Sequence, residues 1–125
     1  MPESVLRAKE PMAFVPSGKN YERSLRFFQD IGFEVAWKSP EMATLKKDGC
    51  KFFLQNYHNQ DMQDNFMMNL DVEDLDAWWA KLQAANLEAK YPGVRVKPPT
   101  VFPWGKREIN IVDPSGVCWH IGVPA

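Results

Sequence analysis

His120 and Cys118 stand two residues apart, and in an extended strand that spacing puts both side chains on one face. An imidazole and a thiol so placed raise the question of a nucleophilic pair. A nucleophile also needs an orienting group, which adjacent positions on one strand do not supply, so a small buried cysteine is the simpler reading of Cys118. His120 stays open between a cavity residue, hydrogen-bonding or metal-ligating, and a partly buried histidine satisfied by the backbone. His58 lies in the polar stretch HNQDMQDN and is expected to face water. Ser17 and Ser115 sit beside turns, where a hydroxyl serves local hydrogen bonds. The spacing of Cys50 and Cys118 fits neither a zinc knuckle nor a disulfide scaffold, and no glycine-rich phosphate loop is present. The aromatic supply is more informative: five Trp and eight Phe leave rings for a stacking surface beyond those that fill a core. Trp37, late in a strand, and Trp104, in the turn FPWG, either line a groove or sit at a rim or in the core. Trp78 and Trp79 fall on a helical stripe and are expected to pack inward.

Those side chains must be positioned by a short chain. Its 125 residues suit one domain, 1–125, with a genuine core, and 45% apolar with 25% charged residues is ordinary globular composition. Fifteen basic residues nearly cancel sixteen acidic ones, so no field of one sign dominates and nucleic acid is an unsuitable partner. The opening MPESVLRAKEPM has no signal-peptide apolar region, and no run is long enough to span a bilayer. A reduced, cytoplasmic protein is the plain expectation, with no membrane partner.

Period and punctuation predict the elements. MAFVP, 12–16, reads as a strand; Asn20 caps a helix whose stripe is Tyr21, Leu25, Phe28 and Ile31; Gly32 ends it. Strands are predicted at 33–38, 42–46 and 51–57, with turns at Ser39-Pro40 and Asp48-Gly49. Residues 58–65 read as a polar link. The programme then repeats: a strand over 66–72, a helix with stripe Leu75, Trp78, Trp79 and Leu82, a Pro- and Gly-rich loop through Pro92, Gly93, Pro98 and Pro99, and strands at 108–112 and 117–123 around DPSG. A strand at 94–97 has weaker support. Trp119 and Ile121 are assigned to the helix side of the last strand, Cys118 and His120 to the cavity side. This is an α+β chain of two βαβββ modules, about 11–57 and 65–123, with curved mixed sheets around a cleft; an unrepeated α+β domain is the alternative.

Three stretches carry a resemblance: FVPSGKNYERSLRFFQDIGFEV at 14–35, LDVEDLDAWWAKL at 70–82 and FPWGKREINIVDPSGVCWHIG at 102–122. In order and spacing they resemble the glyoxalase, bleomycin-resistance and extradiol dioxygenase superfamily of vicinal oxygen chelate folds. The run from Pro103 through Glu108, followed by DPSG, resembles its bleomycin-resistance branch. The resemblance implies a glyoxalase-like fold. Catalytic members hold a divalent metal with His, Glu or Gln from four strands. Here those positions fall at Met12 or Ala13, Gln55, Met67 or Met68, and His120. Only Gln55 and His120 suit a hard ion. No metal, cofactor or catalytic residue is therefore assigned.

What the resemblance implies instead is a non-enzymatic small-molecule binder that sequesters an aromatic ligand or a bleomycin-type antibiotic, a role in antibiotic resistance. Trp37, Gln55, Met67, Trp104, Glu108 and His120 would line its cleft. Glu41, Asp61, Asp64 and Glu108 are candidates for a local acidic patch toward a cationic drug. The alternative is a metal-dependent glyoxalase-like lyase or dioxygenase using Gln55 and His120. The nearest relatives pair two subunits, which implies a homodimer with clefts at the interface. Pro11 would stiffen an arm before the first strand, compatible with strand exchange.

Overall fold

The structure, a computed structural model, describes residues 3–125. Module one runs β1 (Phe14–Pro16), α1 (Tyr21–Asp30), β2 (Glu34–Lys38), β3 (Met42–Lys47) and β4 (Cys50–Gln55). A short helix α2 (Gln60–Asp64) leads to β5 (Met67–Asp71), α3 (Leu75–Ala85), α4 (Leu87–Lys90), β6 (Arg95–Phe102), β7 (Lys106–Val112) and β8 (Cys118–Pro124). Each module makes a four-stranded sheet of the same order, β1-β4-β3-β2 and β5-β8-β7-β6, with the first pair parallel and the rest antiparallel. These are two βαβββ modules whose mixed sheets curve around a cleft.

Local chemistry sets the helix ends. Asn20 accepts from the Arg23 N–H, Asp74 from Ala77 and Asn59 from Met62, each satisfying a donor the helix leaves orphaned. Asn86 closes α3 in the left-handed region at φ 52°, which Asn tolerates better than most residues.

Strand alternation then sorts each sheet into two faces. Val15, Ala43, Leu45, Phe52 and Leu54 of sheet one are buried, as are Ile109, Ile111, Trp119 and Ile121 of sheet two. Both buried faces meet in one core. Trp119 of β8 lies 5.3 Å from Phe28 of α1 and 5.1 Å from Phe52 of β4, ring centre to ring centre. Trp119 and Ile121 face the core, which decides between the two orientations that period two allows, so Cys118 and His120 face the open side.

A second junction is polar. Asp113 is buried, and its Oδ1 accepts from the N–H groups of Ser115, Gly116 and Val117 and from the Ser115 hydroxyl. Its Oδ2 accepts from the Trp119 indole at 3.1 Å. The Ser115 hydroxyl also lies 3.2 Å from the Pro16 carbonyl, and its carbonyl accepts from the buried Gln63 amide. A Cβ on Gly18 would meet that of Ser115 at 2.9 Å, so the β1–α1 turn of one module rests against the β7–β8 turn of the other.

Two segments differ from expectation. Residues 58–65 are no mere polar link: they hold α2, because Asn59 caps it and Gln63 turns inward to bond both Asn59 and Ser115. The Pro-rich stretch is strand as well as loop, since β6 runs through Pro98 and Pro99. Both prolines sit where the register against β7 shifts, between Lys97 and Thr100, on an edge strand. A missing N–H costs nothing there. Trp78 and Trp79 are half-buried at the margin of the core instead of within it.

Candidate functional site

On sheet two the open face is built in rows. Met67 pairs with Cys118, Asn69 with His120 and Asp71 with Gly122 across β5 and β8; His120 pairs in turn with Asn110, and Gly122 with Glu108, across β7. Gly122 decides how that face is filled. A Cβ there would stand 2.9 Å from Glu108 Cγ and 3.0 Å from the Arg107 carbonyl, so glycine leaves the space into which Glu108 folds. Glu108 is thereby buried, at 2% exposure, on a face otherwise open to water.

Its carboxylate is well supplied. His120 Nδ1 lies 2.8 Å from Oε1, the Asn110 amide donates to Oε1 at 3.2 Å, and the Trp104 indole donates to Oε2 at 3.2 Å. Burial pushes the carboxyl up. Donation from His120, Trp104 and Asn110, with the charge of His120, outweighs that and leaves it below the usual carboxylate range. Because a carboxylate only accepts, Nδ1 of His120 donates to it and Nε2 faces the open side. Nε2 lies 3.4 Å from Met67 Sδ and 3.8 Å from Cys118 Sγ. Nearby, Lys106 reaches Asp71 at 2.6 Å and Asn69 at 2.9 Å; those bonds, Lys106 first, hold the Asp71 carboxyl below its usual range.

Sheet one presents an aromatic row. Trp37 pairs with Thr44, Thr44 with Phe53 and Phe53 with Phe14, and the last two rings are 4.8 Å apart. Gln55 sits beside that row, opposite Met42 and Pro16. On sheet two Trp104 stacks on Phe102 at 4.5 Å with 11° between planes.

The structure thus brings Met67, Trp104, Glu108 and His120 into one bonded cluster and places Trp37 and Gln55 on the other sheet. Glu108 is beneath the surface, holding His120 and Trp104, so it does not present a free carboxylate. Glu41 bonds Ser39 in the β2–β3 turn, Asp64 bonds Gln60 on α2, and Glu108 is enclosed. His120 is satisfied by side chains, not by the backbone. Phe14, Phe53 and Asn110 were missed; the alternation of β1 and β4 against the apolar Val15 and Leu54 is the signal that exposes the two phenylalanines. His58 is exposed.

Gln55 and His120 lie on different sheets, the remaining positions carry thioethers or alanine, and among the described residues no three His, Cys, Asp or Glu side chains converge. Burial pushes the Cys118 thiol up, with Lys97 opposing and Glu108 and Asp113 adding, which disfavours a reactive thiolate. No helix among the described residues is long and apolar enough to cross a membrane.

Comparison with known proteins agrees with this architecture. A bleomycin-binding protein solved with bleomycin superposes with TM-score 0.81 at 16% identity, covering 94% of this chain and 100% of that one. The bleomycin-binding protein of Streptomyces verticillus, solved with copper(II)-bleomycin, gives 0.75 at 19% identity, covering 95% and 100%. An antibiotic-binding protein from Streptomyces sp. CB03234 gives 0.69 at 21%, covering 95% and 99%. Comparison with curated protein sequences gives no significant match. The family model for the Glyoxalase/Bleomycin resistance protein/Dioxygenase superfamily matches residues 17–121, and the chain belongs to that superfamily.

Proposed function

We propose that this chain is a non-enzymatic binder of a small aromatic molecule, of the kind its drug-binding structural relatives hold, working as a homodimer in the cytoplasm. One observation carries this reading: large apolar side chains stand exposed on the open faces of both sheets, Trp37 at 52%, Phe14 at 50%, Met67 at 67% and Trp104 at 59%. An isolated soluble chain gains nothing from rings held in water, and such surfaces mark ligand or partner sites. The row from Trp37 to Phe14 offers a flat wall, and Trp104 with His120 a second wall with polar groups. Pairing two chains so that sheet one of each faces sheet two of the other would close two equivalent grooves. The open face of sheet two balances Asp71 against Lys106, so stacking on the rings, not net charge, carries recognition of the ligand.

Titration with a bleomycin-type compound, followed by tryptophan fluorescence, tests the ligand. Saturable quenching is expected, with affinity at least tenfold weaker in Trp37→Ala and Trp104→Ala; unchanged fluorescence at high micromolar ligand removes the drug assignment. Sedimentation equilibrium at low micromolar protein tests the assembly. A single species of 14.4 kDa at all concentrations would sink the paired-groove arrangement.

A further inference from the structure

The donors on sheet two disagree in kind with the hard-ion set of catalytic relatives, and the disagreement has its own chemistry. Met67 and Cys118 are register partners on β5 and β8, and His120 lies two residues beyond Cys118 on the same face. Their donor atoms converge: Nε2 of His120 is 3.4 Å from Met67 Sδ and 3.8 Å from Cys118 Sγ. Bonds of about 2.0 Å to imidazole and 2.3 Å to sulfur, at a tetrahedral angle, put nitrogen and sulfur about 3.5 Å apart. Each of the two observed nitrogen–sulfur distances lies within a few tenths of an ångström of that value, so either sulfur can share an ion with His120 Nε2.

The hydrogen-bond pattern points the same way. Glu108 Oε1 accepts from Nδ1 of His120 at 2.8 Å, so Nε2 is the ring nitrogen that faces the two sulfurs. A buried carboxylate behind a histidine is also the usual support of a metal-ligating imidazole, because it fixes the ring and raises its basicity. Gly122 makes room for that carboxylate. We propose that Met67, Cys118 and His120 form a soft-metal site selective for Cu(I). A thioether, a thiol and an imidazole favour Cu(I) over the magnesium, manganese or calcium that oxygen ligands hold. On binding, the Cys118 S–H bond breaks, its proton passes to solvent and the sulfur–copper bond forms, so thiolate and monovalent ion cancel in charge. Met67 is exposed, which leaves the ion a route in.

The test is anaerobic competition between the full chain and bicinchoninate for Cu(I), read by the absorbance of the copper–bicinchoninate complex. One equivalent is expected to leave the dye, with affinity at least tenfold lower in Met67→Leu and in Cys118→Ser and unchanged in Cys50→Ser, whose thiol lies on sheet one against the Lys47 carbonyl. Met67→Leu keeps the fold, since that side chain stands in solvent. As a second readout, Ag(I) should shift the Met67 methyl resonance in a methionine-labelled sample before any other methionine. No withdrawal of copper, withdrawal that survives in the Met67→Leu/Cys118→Ser double variant, or withdrawal abolished in Cys50→Ser would overturn the site. So would an Ag(I) titration in which Met67 does not move, or a His120 ring that holds a proton on Nε2 at neutral pH with copper left on the dye.

Discussion

Replacing Asp113 by alanine strips internal bonds from the β7–β8 turn that carries the polar junction, and the cost follows from them. Five donors converge on the carboxylate: the N–H groups of Ser115, Gly116 and Val117, the Ser115 hydroxyl and the Trp119 indole. Two of them have somewhere else to go. The Gly116 N–H also reaches the Asp113 carbonyl, and the Ser115 hydroxyl can turn to the Pro16 carbonyl. The N–H groups of Ser115 and Val117 and the Trp119 indole lose their partner in a buried place. At roughly 1–1.5 kcal/mol for each orphaned donor, the loss is about 4 kcal/mol. With an unfolding entropy near 2.1 cal/mol/K per residue, 125 residues give about 0.26 kcal/mol/K, so the melting temperature falls by about 15 °C. Asp113→Asn keeps one oxygen for the turn but sets an amide against the Trp119 indole, and should lose about a third as much. Urea unfolding followed by Trp fluorescence, with calorimetry beside it, measures both. An alanine variant within about 1 kcal/mol of the parent would show that the turn is held by local preference and refute the accounting.

Gly122→Ala should lower stability by about 1–3 kcal/mol, because its Cβ displaces Glu108; the His120 ring resonances should move with it, and a variant with neither change would be inconsistent with the packing described. Glu108, held below the usual carboxylate range in the folded chain, contributes stability that is present above that range and lost as pH falls through its folded value. Glu108→Gln should therefore flatten the acid limb of the stability curve between those limits, and an unchanged limb would refute the assignment. Tyr91 is pushed up to about 12 by burial first, then by its bond to Asp30 and that residue's charge. Its contribution is intact below the ordinary tyrosine value and lost as pH rises through about 12, so Tyr91→Phe should lessen the alkaline loss seen in pH-dependent unfolding.

Much of this architecture was legible in the residues, because it depends on local rules. Asn20 and Gly32 bound α1, Asp48-Gly49 turns β3 into β4, and alternation puts Trp119 and His120 on opposite faces of the last strand. Helix α2 escaped because its anchor is Gln63, a polar residue whose burial depends on Ser115, 52 residues away. Strand β6 was legible only at its start, the weak strand expected at 94–97, because prolines forbid a central strand and only the sheet order shows β6 to be an edge. The site divides in the same way. That His120 lies on the face opposite Trp119 is a matter of period two, read from one strand, while which of the two faces turns inward is decided by packing. That Glu108 lies behind it, that Met67 and Cys118 share its open nitrogen, and that Trp37 and Gln55 stand on a separate sheet depend on register between strands far apart in the chain. Register is settled by the packing of whole faces and by the space a single glycine leaves, and no local pattern encodes either.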